Sequence, residues 1–475
     1  MTLPGPVLNI VDEPSRPIDL TDTGTLHVVA TAHYGSTTAP VESRSMTQLI
    51  ANHGPAQTYS GLHNYARAFF AAGGSRLNVQ RYVGPAAANA TLALAGTSGT
   101  TLNVTAISPG EWGNGATGGL SATVTDSAGA RVLVISYGGV EVERTPAFTT
   151  QADFVAWGAT SKWVRVTAGA GSGVPTAVAI TPLASGASDI AAASSTQAIA
   201  ALAKIDDSYG PGQVAIVDRT TDADHVALAA HALAFNRFAL LDATPGLPVS
   251  SLVSAAAAVT GTGKRVAQLW AQQAVVAGGT PGSRVTVPWS AVQAGLYAKN
   301  DRTFGPQQPS AGEAGQTDVV YALSTEYTIK TDRETLNDAG VNIARTIGGL
   351  IRAYSNRTLA SPTLEKPWLP ASSTRELMRI VALAQPILEH YVHVPIDGQN
   401  VTVTGVERDL TGMLLDEWRA PRRALYGGTA EDAFGVTVTA TVTDPADAKI
   451  TASVWVVTTR GAERVILNLT HRLEA

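Results

Sequence analysis

Three short apolar runs, spaced by helix-length amphipathic stretches, dictate the centre of this fold. They are VAIVD at Val214–Asp218, FALLD at Phe238–Asp242 and VAQLW at Val266–Trp270, with helical patterns near Thr196–Asp206, Asp222–Asn236 and Ser250–Val259. A strand that is apolar along its whole length has both faces covered, and a helix between two such strands carries a parallel crossover. The alternation therefore predicts a doubly wound parallel sheet. Asp218 and Asp242 end two of the strands, where open α/β sheets bind ligands, so an α/β ligand-binding enzyme has to be weighed. No GxGxxG follows a strand, and GTGK at Gly261–Lys264 lacks the upstream glycine and following Ser/Thr of a phosphate loop. Aspartates that cap the next helix are the plainer reading.

Upstream, Pro40–Val83 packs two short helices, a glycine stop and a strand into one stretch. Ser45 precedes Met46, Leu49 and Ile50 at helical spacing, and Gly54-Pro55 closes that helix. Tyr59, Leu62, Tyr65, Ala66, Phe69 and Phe70 form a second stripe that stops at Gly73-Gly74. Leu77, Val79 and Arg81–Val83 read as a strand, Arg67 and Arg76 as solvated, and His53 and His63 have no partner at ligand spacing.

This order of features resembles the sheath proteins of contractile tails: Pro40-Val41, Gly54, Phe69-Phe70, Gly73-Gly74 and Arg81–Val83 stand where that family has its proline-valine start, helix-closing glycine, Phe-Phe-x-x-Gly-Gly and strand end. Pro109–Asn114, PGEWGN, resembles the turn of many sheath insertions, and Gly295, Tyr297, Ala298 and Asp301 match a Gly-x-Tyr-Ala-x-x-Asp segment. Leu336, Asn337, Gly340, Val341 and Asn342 match Leu-Asn-x-x-Gly-Val-Asn, and Arg357–Leu359 matches Arg-Thr-Leu. The chain departs from the family at Tyr354-Ser355-Asn356, where Trp-Gly is usual.

At 475 residues the chain exceeds one core, which stops growing near about 250–300 residues. Changes of pattern divide it into an N-terminal arm (1–20), a first core part (21–92), a Thr/Gly-rich inserted β domain (93–187), a second core part (188–360) and a C-terminal α+β domain (361–475). Strands are expected at Leu102–Ala106, Leu120–Val124, Val132–Ser136 and Trp163–Val166 of the insertion. The class is thus multidomain α+β and α/β, with a doubly wound-like core. Near the C-terminus, Ser373-x-x-Glu376 and Thr404-x-x-Glu407 read as capping boxes. The first opens a helix with Leu377, Ile380, Val381 and Ala384, ended or kinked by Pro386; the second opens one with Val406, Leu410, Met413, Leu414 and Trp418, stopped by Pro421. Phe434–Val442 and Ile450–Val456 alternate as an antiparallel hairpin around a turn at Asp444–Asp447.

Zero cysteines exclude disulfides and thiolate chemistry, and a formal charge of −5 with 15% charged residues argues against nucleic-acid or anionic-membrane binding. No nucleophile elbow, HExxH or phosphate loop occurs, His390 and His393 lack a third ligand nearby, and the start has no basic n-region of a signal peptide. No cofactor or metal is expected. The resemblance implies a structural subunit that polymerises helically around an inner tail tube and contracts, in a virion tail assembled in the host bacterial cytoplasm or in an intracellular or released contractile injection particle. Its implied partners are copies of itself, the tube protein, and baseplate and tail terminator proteins. It also implies that terminal strands, Val7, Leu8, Ile10 and Val11 at one end and Val465, Leu467 and Leu469 at the other, are exchanged between neighbours, and that Arg419, Arg422 and Arg423 face the tube. From the residues alone, the N-terminal run is either such an arm or an edge strand of its own core, and the arginines are either tube-facing or a solvated helix end. An enzyme using Asp218 and Asp242, or a secreted β-rich adhesin or surface-layer protein, are the competing classes.

Overall fold

The computed structural model describes residues 23–442 and 448–461. In chain order, β1 (Leu26–Ala30), β2 (Val41–Ser43), α1 (Met46–His53), α2 (Leu62–Ala71) and β3 (Leu77–Arg81) open the core. Then come β4 (Thr91–Gly96), β5 (Gly99–Ala106), β6 (Leu120–Ser127), β7 (Ala130–Tyr137), β8 (Val140–Arg144), α3 (Gln151–Thr160), β9 (Val164–Ala168) and β10 (Val178–Pro182). The core resumes with α4 (Ser195–Leu202), β11 (Gly212–Ile216), α5 (Asp222–Ala234), β12 (Arg237–Asp242), α6 (Val249–Ala258) and β13 (Ala267–Trp270). There follow β14 (Gln273–Ala277), β15 (Arg284–Pro288), α7 (Trp289–Thr303), β16 (Gln316–Thr317), β17 (Val320–Leu323), α8 (Lys330–Asp338), β18 (Val341–Asn342), β19 (Ala344–Ile347) and β20 (Leu350–Ala353). The chain closes with α9 (Ala371–Glu389), α10 (Val401–Trp418), α11 (Ala430–Ala433), β21 (Phe434–Thr441) and β22 (Lys449–Val456).

The predicted parallel sheet forms. Its order is β18-β13-β12-β11-β1-β3-β2, parallel throughout except for β2, which runs antiparallel on β3. β1 lies inside the sheet, between β11 and β3, although its five residues carry no helix-strand alternation of their own. His27, inside the sheet, is satisfied locally: its Nε2 meets Pro211 O at 3.2 Å and its Nδ1 meets Asn78 Nδ2 at 3.3 Å. Burial pushes the His27 imidazole well below its ordinary pKa.

The Pro40–Val83 stretch folds as its residues dictate. Ser45 caps α1, and Gly54 closes it at φ 80. Gly73 takes φ 112, and Gly74 N bonds back to Phe69 O at 2.9 Å; a side chain on Gly74 would meet the Phe69 ring at 2.3 Å. Arg76 is not solvated: it pairs with Glu42 at 3.0 Å. His63 Nε2 reaches Gly54 O at 2.8 Å, whereas buried His53 is held neutral, its pKa depressed to about 3 chiefly by desolvation. Arg81 is fully buried and donates to the carbonyls of Ala32, Gly35 and Pro109, at 3.0, 3.3 and 2.9 Å, so the arginine ending β3 ties the β1–β2 loop to the insertion.

Residues 91–182 build two sheets, β4-β5-β9 and β10-β6-β7-β8, around a second core that includes Leu102, Trp112, Ile135 and Phe154. Trp112 sits on the sheet, its Nε1 bonded to Ser108 O at 3.1 Å and its ring against Tyr34, Tyr137 and Trp163. Helix α3, capped by Thr150, is an element that strand alternation did not announce. The unit leaves and rejoins the core at one place, where Ala88 bridges Ala187 and Gly84 N bonds Ser188 O at 2.9 Å.

Candidate assembly surfaces and the junction behind them

α7 and α9 meet through charge. The Asp301 carboxylate on α7 accepts from Arg375 of α9 at 2.5 Å, and the Arg375 guanidinium lies over the Tyr297 ring, 3.8 Å from its centroid. Tyr297 is pinned in turn by a 2.7 Å bond from its hydroxyl to Gln268 Oε1 on β13. With side-chain exposures of 2% and 6%, Arg375 and Asp301 form a desolvated pair. Gly295 lets α7 approach α2, since a Cβ there would sit 2.5 Å from both Ala72 Cβ and Phe69 O. Beyond the pair, Arg379 and Arg422 both contact Glu417, at 3.1 and 3.0 Å, and Arg422 reaches Glu376 at 3.6 Å. Glu376 is wholly buried; desolvation, reinforced by Glu417, raises its pKa to about 7.

Neither capping box opens its helix. α9 begins at Ala371 after Pro370, so Ser373 and Glu376 are buried inside the helix, and α9 passes Pro386 to end at Glu389 with Val381 exposed. α10 begins at Val401, its first amides held by Asp397, and Thr404 lies within it. The stripe is right: Val406, Leu410 and Leu414 are buried. The cluster after α10 splits. Arg419 and Arg423 are exposed, whereas Arg422 turns inward to Glu417 and Glu376 and is a link in the junction, not a free surface cation.

The expected antiparallel hairpin forms, with Phe434 opposite Val456 and Val438 opposite Ala452. Phe434 packs over Leu414, and Val438 over Val406 and Leu410. Among the described residues β21 and β22 pair only with each other, so the sheet has two strands and two open edges. Val454 and Trp455 of β22 are exposed. The proposed terminal strands Val7–Val11 and Val465–Leu469, and the turn at Asp444–Asp447, lie outside the described residues.

At the strand ends of the core, Asp218 and Asp242 are indeed helix caps, but of other helices than the next. Asp218 accepts from Gly61 N at 2.6 Å, at the start of α2, and Asp242 from the amide and hydroxyl of Ser290, in the first turn of α7. Thr221 caps the next helix, α5. Desolvation lifts Asp242 to about 7. A cavity of about 300 Å³ lies beside them, and no group of three or more His, Cys, Asp or Glu able to hold a metal exists among the described residues. No helix among the described residues is long and apolar enough to cross a membrane.

No family model and no curated protein matches this chain. Solved structures do. The sheath tail protein of Listeria innocua superposes with a TM-score of 0.64 at 13% identity, covering 92% of this chain and 95% of that one. This chain has the fold of contractile tail sheath proteins. The sheath tail protein of Desulfitobacterium hafniense (TM-score 0.58, 15% identity, 95% and 100% covered) shares this sheath fold. So does the anti-feeding prophage helical sheath in its contracted state (0.55, 16%, 99% and 99%). Within it, the motif residues have legible tasks. Tyr297 and Asp301 hold Arg375, while Asn342 donates to Gly340 O and Arg357 O, at 3.1 and 2.8 Å, and accepts from Arg357 N at 2.9 Å, closing the edge strand β18. At the divergent turn, Ser355 Oγ accepts from Ile343 N and Asn356 bonds Ser372, so the local geometry is closed by side chains. Arg375 escaped sequence reasoning, and Glu376 was read only as half of a capping box; the signal for both was two charges at positions facing the core.

Proposed function

We propose that the chain is a structural subunit of a contractile sheath, polymerising helically around an inner tube and contracting to drive that tube through a target envelope. The observation that carries this reading is the two-stranded hairpin. Two strands alone are marginal in water, and a row of unpaired backbone groups on each edge is a template for strand addition. The apolar runs Val7–Val11 and Val465–Leu469 have the length and composition to fill such edges on neighbouring copies. A head-to-tail contact of this kind that does not close generates an open helix, and rearrangement of linked rigid bodies then supplies contraction. Burying about 500 Å² more apolar surface per subunit yields on the order of 10 kcal/mol, so the role is mechanical and needs no catalytic site. The inner tube, baseplate and tail terminator are its partners, with exposed Arg419 and Arg423 the residues turned to the tube, and a virion tail or injection particle is its location.

Negative-stain microscopy of concentrated protein tests this. Tubes are expected from the full chain and none from a variant lacking residues 1–20 whose circular dichroism is unchanged. Discrete particles from the full chain, or tubes from the shortened one, overturn the reading.

A further inference from the structure

Three of the chain's nine histidines meet at the corner where the insertion is fixed to the core. His53 ends α1 and is fully buried, and neither of its ring nitrogens has a hydrogen-bond partner. The backbone closes on this ring: a side chain on Gly35 would meet His53 Nδ1 at 2.7 Å, and one on Gly54 would meet His33 Cβ at 2.9 Å. His63 of α2, also buried, directs Nε2 to Gly54 O and leaves Nδ1 without a partner. His33, in the loop between β1 and β2, has its Nε2 3.4 Å from the Tyr137 hydroxyl of the insertion.

Arg81 lies among them. Its buried guanidinium is held by four backbone carbonyls, those of Ala32, His33 and Gly35 in the β1–β2 loop and of Pro109 in the insertion. Arg67 and His63 face the corner from α2, Tyr34 from the β1–β2 loop and Tyr59 from the turn before α2. From the insertion come Tyr137 and Glu111, and the Glu111 carboxylate already accepts from Ser188 Oγ at 2.5 Å and from the Ser188 amide at 3.4 Å. A proton on His53 would therefore place a second buried cation beside Arg81, with the facing carboxylate committed elsewhere. Desolvation, then Arg81 and His63, holds His53 down to about 3, and burial lowers His33 and His63 as well. The same contacts keep the insertion in place. Tyr34 N donates to His53 O at 3.2 Å while the Tyr34 ring packs on Trp112 and Trp163, and Arg81 joins the loop to Pro109.

We propose that this corner is an acid-opened latch: protonation of its histidines frees the β1–β2 loop and the end of α1 from Arg81 and the Pro109 turn, loosening the insertion from the core while both stay folded. The closed corner excludes the proton and the opened one binds it at the ordinary histidine pKa of about 6.5, so acid favours opening increasingly below that value. For His53 alone, opening at about pH 5 is favoured on the order of 30-fold over neutral pH. The latch belongs to the single chain and does not rest on sheath assembly.

Hydrogen exchange of the full chain tests it, compared at about pH 7.5 and about pH 5 as protection factors, which divide out the intrinsic pH dependence of exchange. Protection of residues 31–54 and of the 108–114 turn should fall on the order of 30-fold at the lower pH, with that of β12, β13 and the β6–β7 hairpin maintained. His53→Leu and His53→Gln, neutral at every pH, should each remove most of that fall. Protection indifferent to pH in the parent chain, a fall shared equally by β12 and β13, or a fall undiminished in both variants would overturn the proposal.

Discussion

Asp301→Asn is the sharpest probe of how the C-terminal helices are fixed to the core. The substitution keeps shape but removes the charge that faces Arg375, a side chain 2% exposed. Breaking a buried pair by neutralising one partner leaves the other charge desolvated, which costs about 3–5 kcal/mol. Here the Tyr297 ring, 3.8 Å from the guanidinium, still offers a cation–π contact worth about 1–2 kcal/mol, so a loss near the lower figure, about 3 kcal/mol, is expected. Adding Arg375→Met removes the stranded charge and fills much of its volume, so the double variant should be more stable than Asp301→Asn alone. Urea unfolding of the unassembled subunit, followed by tryptophan fluorescence and by hydrogen exchange across α9 and α7, reads both. A loss under about 1 kcal/mol for Asp301→Asn, or a double variant weaker than the single one, would refute a desolvated clamp.

The buried acids and the buried histidine should bend the pH profile of stability in opposite directions. Glu376 and Asp242, raised to about 7 in the fold, contribute stability that is complete below their ordinary range and lost as pH climbs through 7. Depressed His53, at about 3, subtracts stability as pH falls below the imidazole range of about 6.5. Glu376→Gln should flatten the fall in stability between pH 5 and about 7, and leave the profile above that unchanged, in a melting series from pH 5 to about 8.5. Arg422→Glu should lower the melting temperature markedly by placing a third acid beside Glu376 and Glu417, while Arg419→Glu with Arg423→Glu should leave it unchanged and weaken tube-templated assembly. Trp112→Ala should cost about 3–5 kcal/mol, seen as loss of near-ultraviolet dichroism from the cluster with Tyr34, Tyr137 and Trp163.

What the sequence announced and what it concealed divide along a physical line. Where one face of a short element decides everything, pattern sufficed: VAIVD, FALLD and VAQLW became adjacent parallel strands, and the Phe434 and Ile450 runs became a hairpin. β1 escaped because LHVVA pairs with β3 before the insertion and β11 after it, and no local period records partners so far apart. The two capping boxes failed for a different reason. Ser-x-x-Glu signals a helix start only when both side chains turn back to the first amides; in α9 the same residues point into a charged interior, and a motif says nothing of which way it faces. Arg422 and Arg423 are neighbours in sequence with opposite fates for the same reason. Asp218 and Asp242 were legible as caps, yet their helices, α2 and α7, are brought to them by the tertiary fold.

The meeting of Gly84 and Ala88 with Ala187 and Ser188 has a consequence for how such a subunit can change. Two leads that leave the parent layer side by side impose no closure entropy that grows with what hangs between them, beyond a slow logarithm of length. The span they enclose is therefore an interchangeable cassette: a lineage can trade it for another ornament, and a protein engineer can splice a reporter or a binding module across the same gap, without redrawing the seven strands beneath.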